Sequence, residues 1–352
     1  MRPLLAYALH SGNLYGTERM GLETTSGLAG EFDPVILAPE GPALAEARRR
    51  GFEAIPFNGP KDVASALWRL LGPRRDVAFF ATGLVHSAAF LAVNSVRRRR
   101  AAHLHVVHGG TDERLSYGRK RLLNRAPGFV VAVSSYVKER LLAHGVSDGK
   151  VRVVENFVPD ELVATCPKRT VPGDEGVRNA IAVSRVDPIK KLDLLLDAVE
   201  GEPALADLSV RVLGTGWQLD ELRARAVERC PNVRFEGFSA KVPEELAASD
   251  LLIHTCPEEP FGLAILEAFA AGLPVLVPDT GGAGSLVTDG VDGFRFRAGD
   301  ARDLRQRLVA IRALPAERRR AVVDGARAAL AGRFSARRGF AEYRALVEEA
   351  MG

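Results

Sequence analysis

Residues 251–279, LLIHTCPEEPFGLAILEAFAAGLPVLVPD, place a helical pattern between two short apolar runs. The runs LLIHTC and PVLVPD predict strands, and PFGLAILEAFAAG predicts the helix that joins them. A strand–helix–strand unit of this kind places its two strands in parallel within one sheet. Two acids, Glu259 before the helix and Glu267 inside its apolar pattern, are not needed for packing and indicate a ligand.

The same alternation of strand and helix runs through the whole chain. Apolar, β-branched runs predict strands at 4–9, 34–38, 77–82, 103–109, 129–134 and 151–157, and again at 179–185, 210–214, 233–238, 251–256 and 274–279. Between the two sets lies the polar stretch CPKRTVPGDEG at 166–176, with two prolines, which we interpret as a linker. The pattern therefore predicts an α/β fold of two Rossmann-like, doubly wound parallel-sheet domains that face one another, at 1–165 and 177–334.

Composition indicates a globular protein of a reducing compartment. Of the 352 residues, 47% are hydrophobic and 26% charged, and no apolar run reaches the roughly 18 residues of a membrane span. The N-terminal LLAYAL is better interpreted as a first strand than as a signal peptide. Three scattered cysteines predict neither a disulfide framework nor a zinc site. We therefore expect a cytoplasmic protein.

A basic segment of the first domain has two interpretations. Arg97–Arg100 form a run of four cations, and ERLSYGRKRLLNR follows at 113–125. If 113–125 is helical, Leu115, Leu122 and Leu123 lie near one face between the cations, which suits peripheral contact with an anionic membrane. The alternative is a solvated face whose leucines pack on the sheet. The cations lack interleaved aromatic residues, so nucleic-acid binding is not predicted.

Arg185 and Lys190 follow the first strand of the second domain, in SRVDPIKK at 184–191. Ligands of open parallel sheets bind beyond the carboxyl ends of the strands. Two cations at a turn that opens a helix suit a diphosphate. Solvated loop cations are the alternative for this segment taken alone.

Glycines mark two further loops after strands. HSGNLYGTER at 10–19 contains Gly12 and Gly16, which permit close approach of the backbone to a ligand, although a plain turn explains them equally well. LGTGWQ at 213–218 contains Gly214 in a strand-end turn, and such turns are common in folds of this class.

The two acids and the helix between them suit a sugar nucleotide. With about 1.5 Å of rise per residue, the offset between Glu259 and Glu267 spans roughly 12 Å, comparable to the length of such a donor. Amides near Phe261, Gly262 and Leu263 would form the positive end of the helix, where phosphate binds. Carboxylates accept hydrogen bonds from diols. The alternative is that Glu259 caps the helix and Glu267 is exposed.

Histidines end two strands of the first domain. His108, followed by two glycines, is the stronger functional candidate, because its loop belongs to the predicted ligand-binding edge. His86 is a weaker candidate of the same kind. His103 and His105 alternate within their strand and are interpreted as packed or surface residues.

Taken together, these motifs resemble the retaining glycosyltransferases of family 4, which have the two-domain GT-B fold. PEEPFGLAILEAFAAGLPV resembles the Glu-x7-Glu motif of that family, and VSRVDPIKKLDLLLDAV resembles its Arg-x4-Lys diphosphate motif. YGTER, HVVHGG, VRVLGTGWQLDELR and VRFEGF resemble its remaining loops. The final helix, at 335–352, resembles the one that packs back on the first domain.

The resemblance implies a role for each matching residue. Arg185 and Lys190 would hold the diphosphate, Glu259 the donor sugar and Glu267 the ribose. His108 would lie beside the donor sugar, and Gly16 near the phosphates. The remaining donor-binding positions would be Gly214, Phe238, Phe261, Gly262 and Leu263. The donor is then a UDP- or GDP-sugar and the acceptor a glycan, a lipid-linked molecule or a small molecule, at the cytoplasmic face of the membrane in the lipid-linked case.

Two departures and several alternatives accompany this interpretation. Lys191 and Ser285 stand where the family usually has Gly and Glu. No Asp-x-Asp pair follows a strand, so no catalytic metal is predicted, and the donor is a substrate rather than a cofactor. A nucleotide-sugar epimerase, a sugar phosphorylase and a catalytically silent binding protein stay open. An NAD-dependent oxidoreductase is disfavoured, because no Gly-x-Gly-x-x-Gly follows a strand with an acid about 20 residues later.

Overall fold

A computed structural model of the chain describes residues 2–72, 76–110, 112–169 and 176–352. Its internal contacts divide the chain into two compact units, Met1–Phe157 with Ala336–Gly352, and Val158–Ser335. The second unit thus begins at Val158, whereas the sequence predicted that the first domain ends at 165. Residues 170–175 of the predicted linker lie outside the described residues.

A parallel sheet forms the centre of the first unit. In the described residues its seven strands lie in the order β3-β2-β1-β4-β5-β6-β7. They are β1 Leu4–Ala8, β2 Asp33–Ala38, β3 Glu53–Pro56, β4 Val77–Ala81, β5 Ala101–Val107, β6 Phe129–Ala132 and β7 Val151–Val153. The helices are α1 Gly16–Leu28, α2 Pro42–Arg49, α3 Pro60–Leu70, α4 Leu84–Arg97, α5 Glu113–Ser116, α6 Ser135–Ala143 and, from the end of the chain, α15 Ala336–Met351.

The second unit repeats this plan with a six-stranded parallel sheet, β10-β9-β8-β11-β12-β13, as far as the chain is described. Its strands are β8 Asn179–Val183, β9 Ser209–Leu213, β10 Val233–Gly237, β11 Leu251–Ile253, β12 Val275–Pro278 and β13 Phe294–Phe296. Its helices are α7 Asp160–Thr165, α8 Leu192–Val199, α9 Leu219–Arg229, α10 Val242–Ala247, α11 Leu263–Ala271, α12 Gly281–Leu286, α13 Ala301–Arg312 and α14 Ala316–Ala331.

Burial on both faces explains why four of the inner strands are apolar throughout. Every residue of β1, β4, β11 and β12 is buried. Side chains on both faces of a parallel sheet are covered by helices, which removes the alternation seen in half-exposed strands. In the first unit, the rings of Phe79 and Phe90 stack with centroids 4.3 Å apart. Each apolar run predicted as a strand contains one, so the two Rossmann-like sheets predicted from the sequence are confirmed.

Two strands escaped prediction because they lack an apolar run. β3 is an edge strand, Glu-Ala-Ile-Pro, with both ends exposed. β13 is the edge strand Phe-Arg-Phe, whose central residue is partly exposed. At an edge, main-chain pairing with a single neighbour holds a strand that hydrophobic pattern alone does not reveal.

The strand order fixes where each sheet can bind a ligand. Both sheets follow the order of the dinucleotide-binding fold, with the direction of winding reversed between β1 and β4 in one and between β8 and β11 in the other. At such a reversal the following loops diverge to opposite faces and leave a crevice at the carboxyl edge. The loops after β8 and β11 are therefore the first to inspect in the second unit.

The basic segment at 113–125 does not form the single amphipathic helix that the first of its two interpretations requires. It contains the short helix α5, a break at the buried Tyr117, and a 3-10 segment at Gly118–Leu123. Leu123 is buried, whereas Leu115 and Leu122 are exposed, so the three leucines do not share one apolar face. A membrane-lying helix is thus wrong for this segment, and contact with an anionic membrane stays a prediction.

The arginine run at the end of α4 is largely engaged with protein groups. The guanidinium of Arg97 lies 3.7 Å from the ring centroid of Trp68. Arg99 donates a 2.9 Å hydrogen bond to the carbonyl oxygen of Leu71, and Arg100 lies 3.5 Å from Asp76. These contacts favour a structural role for the run. In the described part of the chain, no helix has the length and apolar character needed to cross a bilayer.

Helix α15 belongs to the first unit because it packs closely on β5 and α1. Two glycines allow this. A Cβ atom on Gly27 of α1 would lie 2.3 Å from the ring of Phe340, and one on Gly339 would lie 2.1 Å from the ring of Phe157. Real Cβ atoms do not approach neighbours this closely, so α15 can sit here only while both positions lack a side chain.

We predict that Gly339→Ala lowers the free energy of unfolding by about 1–3 kcal/mol, because the added methyl group must displace a buried ring. The measurement is the urea midpoint of unfolding, followed by circular dichroism. Gly30→Ala is the matched control, since a Cβ atom there has no neighbour within 4 Å. Equal midpoints for the two variants would contradict this account of the packing of α15.

Candidate functional site

A buried ion pair lies at the reversal point of the second sheet. Lys190, from the loop after β8, places its Nζ atom 2.5 Å from Oε2 of Glu259, from the loop after β11. Each side chain is only 15% exposed. His254 Nε2 lies 3.4 Å from the same carboxylate oxygen. The structure thus brings together two residues that the sequence predicted as parts of one site.

Both groups of the pair are charged at neutral pH. Burial acts to raise the pKa of Glu259, but Lys190 and His254 more than offset it, so the pKa of this carboxyl lies well below its ordinary value. Burial likewise acts to lower the pKa of Lys190, and the charge of Glu259 outweighs it, so the pKa of the ammonium is raised. Each charge is therefore held in its buried position by the other.

Arg185 lies beside this pair on the same loop. Its guanidinium Nη1 is 2.8 Å from Oδ2 of Asp187, and its side chain is 56% exposed. The charge of Arg185 also acts on the ammonium of Lys190, whose pKa it tends to lower. The loop therefore presents one buried and one half-exposed cation, an arrangement that suits an anionic ligand approaching from solvent.

The loop after β9 supports this arrangement from one side. The N–H group of Val186 donates a 2.9 Å hydrogen bond to Thr215, and that of Trp217 donates a 3.3 Å bond to Asp187. Gly214 adopts φ +141°, and a Cβ atom there would lie 1.8 Å from the carbonyl oxygen of Ser184. Only glycine permits this close approach, so Gly214 lets the loop after β9 pack against the loop that carries Arg185 and Lys190.

The loop after β12 fixes the backbone of Glu259 from the other side. The N–H group of Gly282 donates a 2.6 Å hydrogen bond to the carbonyl oxygen of Glu259. The hydroxyl of Thr280 donates a 3.0 Å bond to the carbonyl of Pro257. The hydroxyl of Ser285, the residue at which the resembling family usually has Glu, donates a 2.7 Å hydrogen bond to the carbonyl of Gly282. Its hydroxyl is thus turned back onto α12.

Helix α11 begins at Leu263, and Gly262 precedes it with φ +103°. Only the residues from Leu263 onward rise as a helix, so helical rise does not set the separation of Glu259 and Glu267, and the value of roughly 12 Å stays a prediction. Phe261 is buried, with its ring edge-on to that of Phe334 at 6.3 Å, so only its backbone is available to a ligand. The amides in the first turn of α11 form the positive end of the helix, as we expected.

Glu267 occupies a partly buried position on α11. Burial raises the pKa of the Cys166 thiol, and the charge of the Glu267 carboxylate adds to this rise. Glu267 therefore lies near Cys166, which directly follows α7. The structure therefore positions Glu267 on the predicted helix, and its contact with a ribose stays a prediction.

In the first unit, Gly16 opens α1 and His108 follows β5. Burial, with a smaller effect of His10, lowers the pKa of His108 to about 3, so its imidazole is neutral at physiological pH. Its Nε2 atom is buried and has no hydrogen-bond partner among the described residues. A neutral ring with an unused nitrogen can donate to or accept from a ligand hydroxyl.

Three other histidines of the first unit, His86, His103 and His105, make packing contacts. His103 Nε2 and His105 Nδ1 each lie 2.9 Å from the hydroxyl of Ser87, which confirms that they are packed residues. His86 lies edge-on to Phe57 with centroids 5.0 Å apart, and burial lowers its pKa to about 4. These contacts favour packing over catalysis for His86.

Two features of the second unit escaped the sequence analysis. His254, beside the ion pair, ends a strand as His108 does, and the same signal would have found it. Trp217, the second feature, is 89% exposed on the loop after β9, and Phe238, which the resemblance already gave as a donor-binding position, is 79% exposed after β10. Their loops are joined by a 2.7 Å hydrogen bond from Gly214 N–H to the carbonyl of Gly237. Two exposed aromatic rings on joined loops suit stacking on a planar ligand.

Two family models match consecutive parts of the chain. "Glycosyltransferase Family 4" matches residues 15–162, and "Glycosyl transferases group 1" matches residues 178–313. The chain is 29% identical over 219 residues to a D-inositol 3-phosphate glycosyltransferase of Kribbella flavida, covering 57% of this chain and 52% of that protein. It is 28% identical over 186 residues to a GDP-mannose-dependent alpha-mannosyltransferase of Mycobacterium tuberculosis, covering 51% and 47%. The chain spans about half the length of the curated relatives it matches.

Solved structures share the fold over nearly the full length. The Anabaena protein Alr3699/HepE, solved in complex with UDP and glucose, superimposes with a TM-score of 0.83 at 20% identity, covering 99% of this chain and all of that one. A glycosyltransferase from Rickettsia africae superimposes with a TM-score of 0.81 at 18% identity, covering 99% of each chain.

We predict that Glu259→Gln destabilises the protein by about 3–5 kcal/mol at neutral pH, because it leaves the buried Lys190 without its counter-charge. The folded pKa of Glu259 lies below its ordinary value of 4.5, so its stabilising effect is complete above that value and is lost as the pH falls below it. The deficit in melting temperature should therefore shrink on acidification from about pH 6 to about pH 3. Scanning calorimetry across this range measures it, with the exposed Glu317→Gln as control. A deficit that stays constant with pH would contradict the ion-pair account.

Proposed function

This chain belongs to glycosyltransferase family 4, and on that premise we propose that it transfers a sugar from a nucleoside-diphosphate sugar to a hydroxyl group of an acceptor. The observation that carries the proposal is the buried Lys190–Glu259 pair beside Arg185, at the reversal point of the second sheet. A donor of this class has a diphosphate for the cations and hydroxyl groups for the carboxylate.

The donor would lie along the carboxyl edge of the second sheet. Its diphosphate would contact Arg185, Lys190 and the amides at the start of α11, since cations and helix N-termini both bind phosphate. Glu259 would accept hydrogen bonds from the sugar, and Glu267 from the ribose. Phe238 and the neighbouring Trp217 would stack on the base, which leaves the identity of that base to backbone contacts.

Binding would exchange one set of contacts for another. In the structure, the carboxylate of Glu259 is satisfied by the ammonium of Lys190. A donor sugar would supply hydroxyl donors to Glu259, while its diphosphate would supply two anionic groups to Lys190 and Arg185. Each buried charge then keeps a partner, so the exchange avoids leaving either group desolvated and unpaired.

The chemical step follows from this placement. The bond between the anomeric carbon and the phosphate oxygen breaks, and negative charge builds on the departing diphosphate. Arg185, Lys190 and the first turn of α11 would stabilise that charge without a metal ion. The acceptor oxygen forms the new bond on the same face of the sugar, and its proton passes to the departing phosphate oxygen, so the anomeric configuration is retained. Neutral His108 would hydrogen-bond a sugar hydroxyl.

The donor base and the acceptor follow from relatives rather than from side chains of this chain. The Anabaena neighbour is bound to UDP and the mycobacterial relative depends on GDP-mannose, so we propose a UDP- or GDP-sugar as donor. The acceptor would be a glycan, a lipid-linked molecule or a small molecule, and a lipid-linked acceptor would lie at the cytoplasmic face of the membrane. The cations Arg119, Lys120 and Arg121 would assist contact with anionic lipid.

A panel of nucleotides tests the proposal directly. Melting temperature is measured with UDP, GDP, ADP and the corresponding sugars, and donor hydrolysis is then followed without acceptor. A shift with one nucleoside diphosphate and slow release of its sugar are expected. A shift without hydrolysis indicates a silent binding protein, and no shift with any nucleotide would overturn the proposal.

We predict that Glu267→Ala weakens binding of the preferred nucleotide by about 1.5–3 kcal/mol, the range for hydrogen bonds to a charged group. Isothermal titration calorimetry gives the affinity, with Glu317→Ala on the exposed face of α14 as the matched control. Unchanged affinity in a folded Glu267→Ala variant would show that Glu267 does not bind the ribose.

We predict that Arg185→Ala and Lys190→Ala each lower kcat beyond any loss of donor affinity, because charge on the diphosphate is greatest in the transition state. Single-turnover rates with saturating donor separate the two effects, and Arg318→Ala, at an exposed position of α14, serves as control. A variant with normal kcat and only a raised KM would assign its residue to donor binding alone.

A further inference from the structure

Three potential metal ligands of different chemistry converge in the loop after β11. His254, Cys256 and Glu259 each offer one atom, and these nitrogen, sulfur and oxygen atoms lie within 4.8 Å of one another. His254 is 6% exposed and Cys256 is 1% exposed. The proposed binding of a sugar nucleotide gives no role to the buried thiol of Cys256.

The histidine supplies an independent sign that the group has a ligand. Its Nε2 atom is buried, and within the described ranges it makes no hydrogen bond of normal geometry, since the carboxylate oxygen of Glu259 lies 3.4 Å away. Buried ring nitrogens normally form a hydrogen bond, so a buried nitrogen without a well-formed one needs an explanation. A metal ion bound to Nε2 would satisfy it.

A cation already occupies this position. The ammonium of Lys190 lies 2.5 Å from Glu259, and the Cys256 thiol is near enough to act on the pKa of that ammonium. The group is therefore suited to positive charge, and Lys190 supplies it in the absence of any other ion.

We propose that His254, Cys256 and Glu259 form a binding site for one thiophilic divalent cation, such as Zn²⁺, which competes with the ammonium of Lys190 for Glu259. The nitrogen, sulfur and oxygen ligands are those of zinc sites with three protein ligands and a fourth position for water. Bond lengths of about 2.0–2.3 Å around a tetrahedral ion require ligand atoms roughly 3.4–3.7 Å apart, so the side chains need to close by about 1 Å. The thiol proton passes to bulk water when the metal binds.

A metal ion at this site would inhibit donor binding and would take no part in catalysis. A metal ion on Glu259 would free the ammonium of Lys190 from its partner and would block the carboxylate proposed to contact the donor sugar. Metal and donor would then exclude one another. This consequence rests on the proposed function, whereas binding of the metal itself does not.

The other two cysteines provide matched controls within the chain. Cys230 Sγ donates to the carbonyl oxygen of Leu196 at 3.7 Å, and Cys166 Sγ donates to that of Pro167 at 3.6 Å. Both are buried and free of disulfides. Neither belongs to a group of three potential ligands in the described residues.

The first experiment titrates the full chain with Cd²⁺ and follows the ultraviolet charge-transfer band between thiolate and cadmium. One saturable Cd²⁺ per chain is expected, absent in Cys256→Ser and kept in Cys230→Ser. His254→Gln should weaken binding about tenfold or more. A band that survives Cys256→Ser, or binding that His254→Gln leaves unchanged, would overturn the proposal.

The second experiment removes the competing cation. Lys190→Met should bind Cd²⁺ and Zn²⁺ at least about tenfold more tightly than the natural protein, because a like charge within the site is gone. Mg²⁺, which prefers oxygen ligands, should bind neither protein here. Equal affinity of Lys190→Met and the natural protein for Cd²⁺ would contradict competition with Lys190.

A third measurement joins the site to the proposed function. The thermal shift given by UDP or GDP is recorded with and without Zn²⁺, and loss of the shift is expected for the natural protein but not for Cys256→Ser. If Cd²⁺ binds as described and no nucleotide binds at all, the proposed function fails while the metal site stands. If nucleotide and metal bind together without interference, the proposed inhibition of donor binding by the metal is wrong.

Discussion

The second unit depends on two opposite charges that must stay together because both are removed from water. Separating Lys190 from Glu259 would leave each desolvated and unpaired, which costs several kcal/mol. Since one residue follows β8 and the other follows β11, the pair joins the two loops at which the sheet changes its direction of winding. A ligand that enters between these loops meets charges that are already fixed in position, and fixed charges need little rearrangement during a reaction.

Close backbone contacts help to hold this pair in place. Gly214 lets the loop after β9 press against Ser184, and the N–H of Gly282 supports the carbonyl of Glu259. In both places a carbonyl oxygen and a bare Cα atom are in contact, so no side chain stands between neighbouring loops. The charged groups consequently lie on the loops that follow four parallel strands, β8, β9, β11 and β12.

Much of the fold and the centre of the candidate site could be predicted from the sequence. Apolar runs locate buried parallel strands, because burial on both faces leaves no polar position to confuse the pattern, and the motif cations and Glu259 follow from those strand ends. The pattern failed where tertiary contacts decide the outcome. At 113–125 the periodic leucines suggested one helix, but burial of Tyr117 against His144 breaks it. His254 follows a strand as His108 does, and that signal marks it as a candidate, but its approach to Glu259 is a tertiary contact that the sequence does not show.

Lys191, next to the ion pair, adopts φ +52°, a left-handed conformation that glycine reaches without steric strain and a lysine does not. The family resemblance also places glycine at this position. A free peptide with the sequence of 184–191 would therefore favour other conformations, and the turn that presents Arg185 and Lys190 exists only inside the folded unit. The cationic surface is thus a product of the tertiary structure as a whole, and grafting this segment onto an unrelated scaffold would transfer its charges without their arrangement.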